Sequence, residues 1–332
     1  MERLCPLHWK PGPAGDGFAV VGFDLHSAAG YHLYLVNKKG AVLKRFPHFG
    51  LPGRLTSWAN GSQFVESPPA FAVARDASWV ASAGPLGMAV WDKDAALLWK
   101  REWWGESRKS PILLNMGDAL IVLDGMTVSA LASATGKSLW SHTLEGTGSL
   151  QGGAVSEDGV TLAVRSDSGG GAVFVVQRGG VVAVFPGAAE RLALAPDGKT
   201  LAVAQGNELR YYDVARGLLW NKRFTAPVTQ VLISDYARKS VVFLSTHTEF
   251  MMLEAADGKR VIERQSDIGF NRFALSRSSG RILLATPDGV VPVSIRPAGA
   301  LTFKRPLDHA SCWIPGWPSP PRFAPDATPT AP

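Results

Sequence analysis

The 332-residue chain repeats itself, and the repeat limits what it can fold into more than any other feature. Residues 129–146 read SALASATGKSLWSHTLEG: an alternating run, a Thr-Gly turn, then an apolar run that leaves with a tryptophan. Related phrases turn at Gly40, Ala95, Gly136, Gly179, Gly217, Gly258 and Gly299. From Ala95 onward the steps between turns are 41, 43, 38, 41 and 41 residues. The first step is 55, and LPGRLTSWANGSQFVESPP (51–69) supplies the extra length. A second phrase precedes the first in most copies: FAVARDASWVASAG (71–84), AVSEDGVTLAVRSD (154–167), LALAPDGKTLAVAQG (192–206), VLISDYARKSVVFLS (231–245) and FALSRSSGRILLATPDG (273–289), with PILLNMGDALIVLDG (111–125) as a looser copy.

Helical 3.6-residue periodicity is nearly absent, and runs such as HLYLVN, VSALAS, AVFVVQ and LRYYDV alternate with period two, which places successive side chains on opposite faces of a strand. Each phrase is a strand, a turn and a strand, so each period holds four short strands. Four strands at a period of about 40 residues mark the blade of a β-propeller. The expected fold is all-β: a seven-bladed β-propeller of four-stranded antiparallel blades over 1–317, followed by a Pro-rich tail, 318–332, expected to be disordered. The first blade lacks a clear first strand. MERLCPLHW (1–9) and ASCWIPGW (310–317) could each complete it, with the termini meeting at that seam and Cys5 near Cys312. Gly136 is expected at a positive-φ turn position, and Trp99, Trp140 and Trp220 between neighbouring blades.

ALASATGKSLW resembles the repeat of the pyrroloquinoline-quinone-like propellers, in which a small-residue strand, a Thr-Gly turn and a tryptophan recur; WDKDAALLW and YYDVARGLLW are looser matches. The strand pair APDGKTLAVAQG is similar to those of WD-repeat and related seven-bladed propellers. The pattern spans roughly residues 18–306. In quinone-dependent dehydrogenases of this class, the resemblance implies a cofactor with calcium held by acidic and amide side chains, covered in several members by a vicinal disulfide. Here Cys5 and Cys312 are the two cysteines, and no calcium-ligand set matches. What carries over is the non-catalytic branch, which includes an eight-bladed outer-membrane assembly lipoprotein and acts as scaffolding. The expected function is therefore a non-enzymatic scaffold, without cofactor, that binds a protein or peptide through one propeller face. The alternative is a ligand-binding protein with a channel site, or a quinone-dependent oxidoreductase relative.

The remaining signals are weaker. No CxxC or CxxCH occurs, which removes zinc-ribbon, covalent haem and thioredoxin-type chemistry. The seven histidines are scattered without HxH or HExxH spacing. RSDSGGGAVFV (165–175) is Gly-rich, but no helix follows to present amides to a phosphate. No apolar leader opens the chain and no run is long enough to span a bilayer. The expectation is thus cytoplasmic, or periplasmic if a leader has been removed, and monomeric.

Two stretches stand out as binding candidates. The insertion 51–69 carries Arg54, Trp58 and Asn60, an anchor-like set on what is often the binding face of a repeat protein; a solvated loop packing its own tryptophan is the ordinary alternative. WKREWWGESRK (99–109) interleaves Trp103, Trp104 and Arg108 with other cations, a mixture that suits polyanions but also suits a blade edge. The formal charge of +6 is mild and spread out, so nucleic acid or another polyanion is not the expected partner. Basic pairs at Lys44-Arg45, Lys100-Arg101, Lys222-Arg223 and Lys304-Arg305 fall on the last strand of their blades, where lysine discourages edge-to-edge pairing.

Overall fold

The computed structural model describes thirty strands between Pro6 and Phe303. Side chains are described at 44–46, 70–102 and 111–262, apart from residues 75, 77, 85–86, 168–169 and 236–238. The strands form seven four-stranded sheets, each an antiparallel meander in chain order, plus one two-stranded hairpin. The sheets cover 6–46, 70–102, 112–143, 150–186, 191–223, 230–265 and 272–303, and are called first to seventh below. No helix occurs among the described residues.

The first sheet is built from its own stretch of chain. Pro6–Pro11 pairs with Gly17–Phe23, so the N-terminal candidate supplies the expected missing strand, over a slightly shifted range. Residues 310–317, Cys5, Cys312 and the tail 318–332 lie outside the described residues. The inner strands of neighbouring sheets lie side by side: Ala70–Val73 by Ile112–Met116, then Leu150–Val155, Arg191–Leu194 and Gln230–Tyr236 in turn. Pro6–Pro11 lies against Arg272–Ser276, bringing the first sheet to the seventh. Four-stranded antiparallel sheets arranged in this way by their inner strands make the fold a β-propeller.

Alternation in the middle strands explains why the sequence is apolar at both parities. In the third sheet, Leu120 and Val122 join a cluster with Ala81, Met88 and Val90 of the second. Their neighbours Ile121 and Leu123 join Leu162, Val164 and Phe174 of the fourth. In the fourth, Ala163, Val173 and Val175 turn the other way, onto Leu201, Val203 and Tyr212 of the fifth. Leu209 and Tyr211 then meet Val242, Leu244 and Met251 of the sixth. The core is a series of seams, and a strand with period-two geometry feeds one seam with each face. Leu120, Ile121 and Leu162 are wholly buried. Small cross-strand pairs, Ala72 with Ala81 and Ala193 with Ala202, lie on the two inner strands of the second and fifth sheets.

The outer strand of each sheet is different. In six of the seven, one residue of that strand is skipped in the pairing: Leu43, Leu98, Leu139, Val182, Leu219 and Val261. These are β-bulges, which raise the local twist and blunt an open sheet edge. The five with described side chains are 40–49% exposed, which accounts for apolar residues in the solvent.

Where the residue after the bulge is tryptophan, it forms an outer joint between sheets. Trp99 lays its indole across the turn of the third sheet: a Cβ on Gly136 would come within 2.8 Å of Trp99 Cδ2, and φ there is +69°. Trp99 Nε1 donates to the Ser133 carbonyl at 2.7 Å, and Arg101 Nη2 to that of Gly136 at 3.1 Å. The same joint recurs three sheets later, between the fifth and the sixth. Trp220 covers Gly258, where φ is +70°, and donates to the Ala255 carbonyl at 2.8 Å, while Lys222 Nζ reaches the Gly258 carbonyl at 2.8 Å. Trp220 also stacks on Tyr211, its cross-strand partner, at 4.9 Å. Trp140 takes the equivalent place in the third sheet, half-buried, with His142 Nε2 donating to the Arg178 carbonyl at 3.1 Å. Trp99 and Trp220 thus each cover a turn glycine of the next sheet, whereas the fourth sheet's Gly179 and Gly180 have no neighbour within 4 Å of an added Cβ and Trp140 covers neither.

This joint gives two expectations. Trp99→Ala costs about 2–3 kcal/mol, below the range for a fully buried tryptophan because the ring is partly solvated. Gly136→Ala costs a similar amount, of which about 1–2 kcal/mol is left-handed backbone strain and the rest displacement of the indole. Only the strain survives when Trp99 is already alanine, so chemical denaturation of the two single variants and the double variant shows a coupling of about 1 kcal/mol; strict additivity contradicts the joint. Leu162→Ala, in the wholly buried seam, costs about 3 kcal/mol in the same assay.

Candidate functional site

Three arginines converge on the linker that carries the chain from the fourth sheet to the fifth. Arg165 lies in Leu162–Ser166, the second strand of the fourth sheet; Arg191 opens the inner strand Arg191–Leu194 of the fifth; Arg210 lies in that sheet's third strand, Glu208–Asp213. Successive carbonyls of the linker accept from them. Arg210 Nη2 donates to Ala188 O at 3.2 Å, Arg165 Nη1 to Ala189 O at 3.0 Å, and Arg191 Nη1 to Glu190 O at 2.8 Å.

Each guanidinium then reaches further. Arg165 Nη2 donates to Gln151 O on the inner strand of its own sheet, at 3.0 Å. Arg191 Nε donates to Thr229 O, just before the inner strand of the sixth, at 2.7 Å. Arg210 Nη2 also donates to Gln205 Oε1, and Arg210 Nε lies 3.9 Å from Glu208 Oε1. A planar donor fork that holds two carbonyls at once is what arginine does better than lysine. The result is a set of ties across the inner ends of the fourth, fifth and sixth sheets.

The electrostatics of the three differ. Arg210 has the Glu208 carboxylate beside it. Arg165 and Arg191 are held by carbonyl dipoles, and neither forms an ion pair among the described residues. Burial, followed by the nearby charge of Arg191, lowers the Arg165 pKa, with Glu190 and Asp167 acting in the opposite direction. Asp167 spends its oxygens on Ser149 N at 2.7 Å, Ser149 Oγ and Gln151 Nε2, and the bond from the Ser149 amide is the main reason its pKa is lowered. Glu190 Oε1 accepts from Gly206 N at 3.2 Å. Arg191 is exposed, and its Nη2 makes no hydrogen bond among the described residues, so an anion reaching it meets a cationic donor held in position by its other nitrogens.

The six residues singled out from the sequence are not part of this cluster. Arg54, Trp58, Asn60, Trp103, Trp104 and Arg108 lie outside the described residues. Beside the first three, Leu55–Ser57 and Gln63–Val65 pair into a separate two-stranded hairpin, so the insertion has regular structure of its own. At the start of the 99–109 stretch, Trp99 and Arg101 are engaged on Gly136, and Lys100 pairs with Glu102 at 2.9 Å. Trp99 and Arg101 are thus held in the joint with the third sheet, while the Lys100–Glu102 pair lies at the surface. Sequence reasoning passed over Arg165, Arg191 and Arg210; the signal was an arginine inside each of three otherwise apolar strand phrases, VRS, ERLAL and LRYY.

Among the described residues, no group of three or more His, Cys, Asp or Glu side chains is placed to hold a metal ion. No helix among them is long and apolar enough to cross a membrane.

Comparison with known proteins agrees with the repeat and with the fold. A chain of the "Crystal Structure of Mitotic Checkpoint Complex" superposes with a TM-score of 0.59 over 87% of this chain and 90% of that one, at 13% identity, a likeness of fold alone. No curated protein matches the chain. The family model described as "Outer membrane protein assembly factor BamB" matches residues 32–263, which include the Thr-Gly…Trp joints and all three arginines. With most of its length matched, the chain belongs to the PQQ-like propeller family of the outer membrane protein assembly factor BamB.

Proposed function

We propose that this protein is a non-enzymatic scaffold whose repeats close into one ring, and that it binds another protein through the propeller face bearing Arg165 and Arg191. The observation that carries the reading is the pair of fixed guanidiniums satisfied by backbone carbonyls and left without a carboxylate partner among the described residues. Such a pair suits an acidic side chain or a short acidic segment of a partner, which it engages through charge-assisted hydrogen bonds. Membership of a family named for an assembly factor points the same way. The insertion with Arg54, Trp58 and Asn60 belongs to the same reading as a second contact region.

Arg191→Glu is the test, because Arg191 is exposed and its removal leaves the seams intact. Affinity purification from the native host with wild-type and Arg191→Glu baits is expected to recover a partner with the first and lose it with the second. The expected loss in affinity is about tenfold or more, as for an interfacial charge pair broken on one side. The thermal midpoint stays within a few degrees of wild type. The same partners recovered equally by both baits would contradict this placement.

A further inference from the structure

We propose that Glu249 is the receptor for an arginine side chain of the partner protein, so that the face bearing Arg191 takes a segment carrying both an acid and an arginine. Glu249 opens the third strand of the sixth sheet, Glu249–Glu254, and is 9% exposed. It lies on the same strand face as Met251 and Leu253, which pack on the fifth sheet. Its backbone is fully used: the amide donates to Thr246 Oγ1 at 3.0 Å, and the carbonyl accepts from Thr246 N at 2.8 Å. Its carboxylate is not. Oε2 is buried with no hydrogen-bond partner, and the side chain makes no ion pair among the described residues. A buried carboxylate left this way gives up its hydration and recovers nothing from the protein. Oε1 is the less enclosed oxygen, and His247 and Thr248 in the preceding turn are exposed, so the carboxylate lies just beneath the surface.

The fifth sheet shows what this position takes. Glu208 opens its third strand as Glu249 opens that of the sixth. Two guanidiniums flank Glu208: Arg210 Nε lies 3.9 Å from Oε1 and Arg223 Nη2 lies 3.8 Å from Oε2. Arg223 is paired across from Glu208, and Arg210 lies two residues further along the strand. In the sixth sheet those two places hold Gln265 and Met251. The carboxylate is kept while both cations are replaced. A guanidinium suits the two free oxygens because its planar fork engages both at once. Glu249 also sits at the end of the sheets where Arg191 lies. Arg191 Nε donates to Thr229 O at 2.7 Å, and Thr229 donates its amide and hydroxyl to Ser245 O at 2.8 and 3.0 Å, next to Thr246. Both contacts belong to one partner only if that partner docks on this face, as proposed above.

The probe is the peptide acetyl-Ala-Arg-Ala-amide, titrated into the isotopically labelled full chain and followed by amide NMR. Shifts centred on Thr246, Glu249 and Phe250 are expected, and the same peptide with citrulline in place of arginine is expected to give none. Glu249→Gln keeps the shape and removes the charge, so it is expected to abolish the shifts and to leave the thermal midpoint unchanged or higher. Arg191→Glu is expected to keep the shifts, because this peptide carries no acid. Absent shifts, shifts centred elsewhere or shifts retained by Glu249→Gln would overturn the proposal. So would a clear fall in the Glu249→Gln midpoint, which would mean that the fold already satisfies the carboxylate. If the peptide fails while Arg191→Glu still loses the partner, the arginine site falls and the docking face stands. If the peptide binds as expected while Arg191→Glu retains the partner, the docking face falls and the arginine site stands.

Discussion

Everything in this structure depends on the seams between sheets. A four-stranded sheet alone has two apolar faces and cannot bury either. Here each middle strand divides its side chains between two neighbours, Leu120 and Val122 one way, Ile121 and Leu123 the other. Because hydrophobic stabilisation scales with area removed from water, a sheet gains most of its stability from the sheets on either side. The Trp-glycine joints and the arginine ties are placed on top of that arrangement, one at the outer rim and one at the inner ends. Each fixes how far neighbouring sheets can slide, since an indole lying on a glycine or a fork holding two carbonyls tolerates little displacement.

This division of labour also says where binding can happen. Seams are filled and the outer edges are twisted by bulges, so neither offers an open strand to a partner. What remains are places where a repeated device is left incomplete. At the inner ends, Arg165 and Arg191 are fixed by backbone carbonyls and form no ion pair among the described residues. In the sixth sheet, Glu249 stands where Glu208 stands in the fifth, without the arginines that flank it there. In a repeat protein the departures from the repeat are the informative positions, because the repeat itself is explained by packing.

Much of the fold was legible in the sequence. The period of about 41 residues, the period-two alternation and the Thr-Gly turns gave four-stranded units at the observed places, and the looser phrase at 111–125 is a regular strand pair, Ile112–Met116 and Ala119–Asp124. The tryptophans between sheets were legible too, though they lie at the rim, half-buried, and donate to carbonyls that only the neighbouring turn reveals. The bulges were not legible, because skipping Leu98 or Val182 changes no residue type; it changes which face the following residue occupies. The arginine cluster was not legible either. Residues 165, 191 and 210 lie on three strands of two sheets, and only the fold brings their forks to successive carbonyls of one linker. The expectation that Trp99 packs between blades agrees with its joint on Gly136, while the Arg101 bond to the Gly136 carbonyl was not legible.

The central claim is that the sheets hold one another up through shared seams. Native-state hydrogen exchange tests it most directly, by comparing the opening free energies of amides in the middle strands Ala119–Asp124, Leu162–Ser166 and Thr200–Gln205 of three successive sheets. The account predicts that the three share one value, and that Leu162→Ala lowers all three together. Opening of the fourth sheet at a lower free energy than its neighbours, with the loss at Leu162 confined to it, would contradict it.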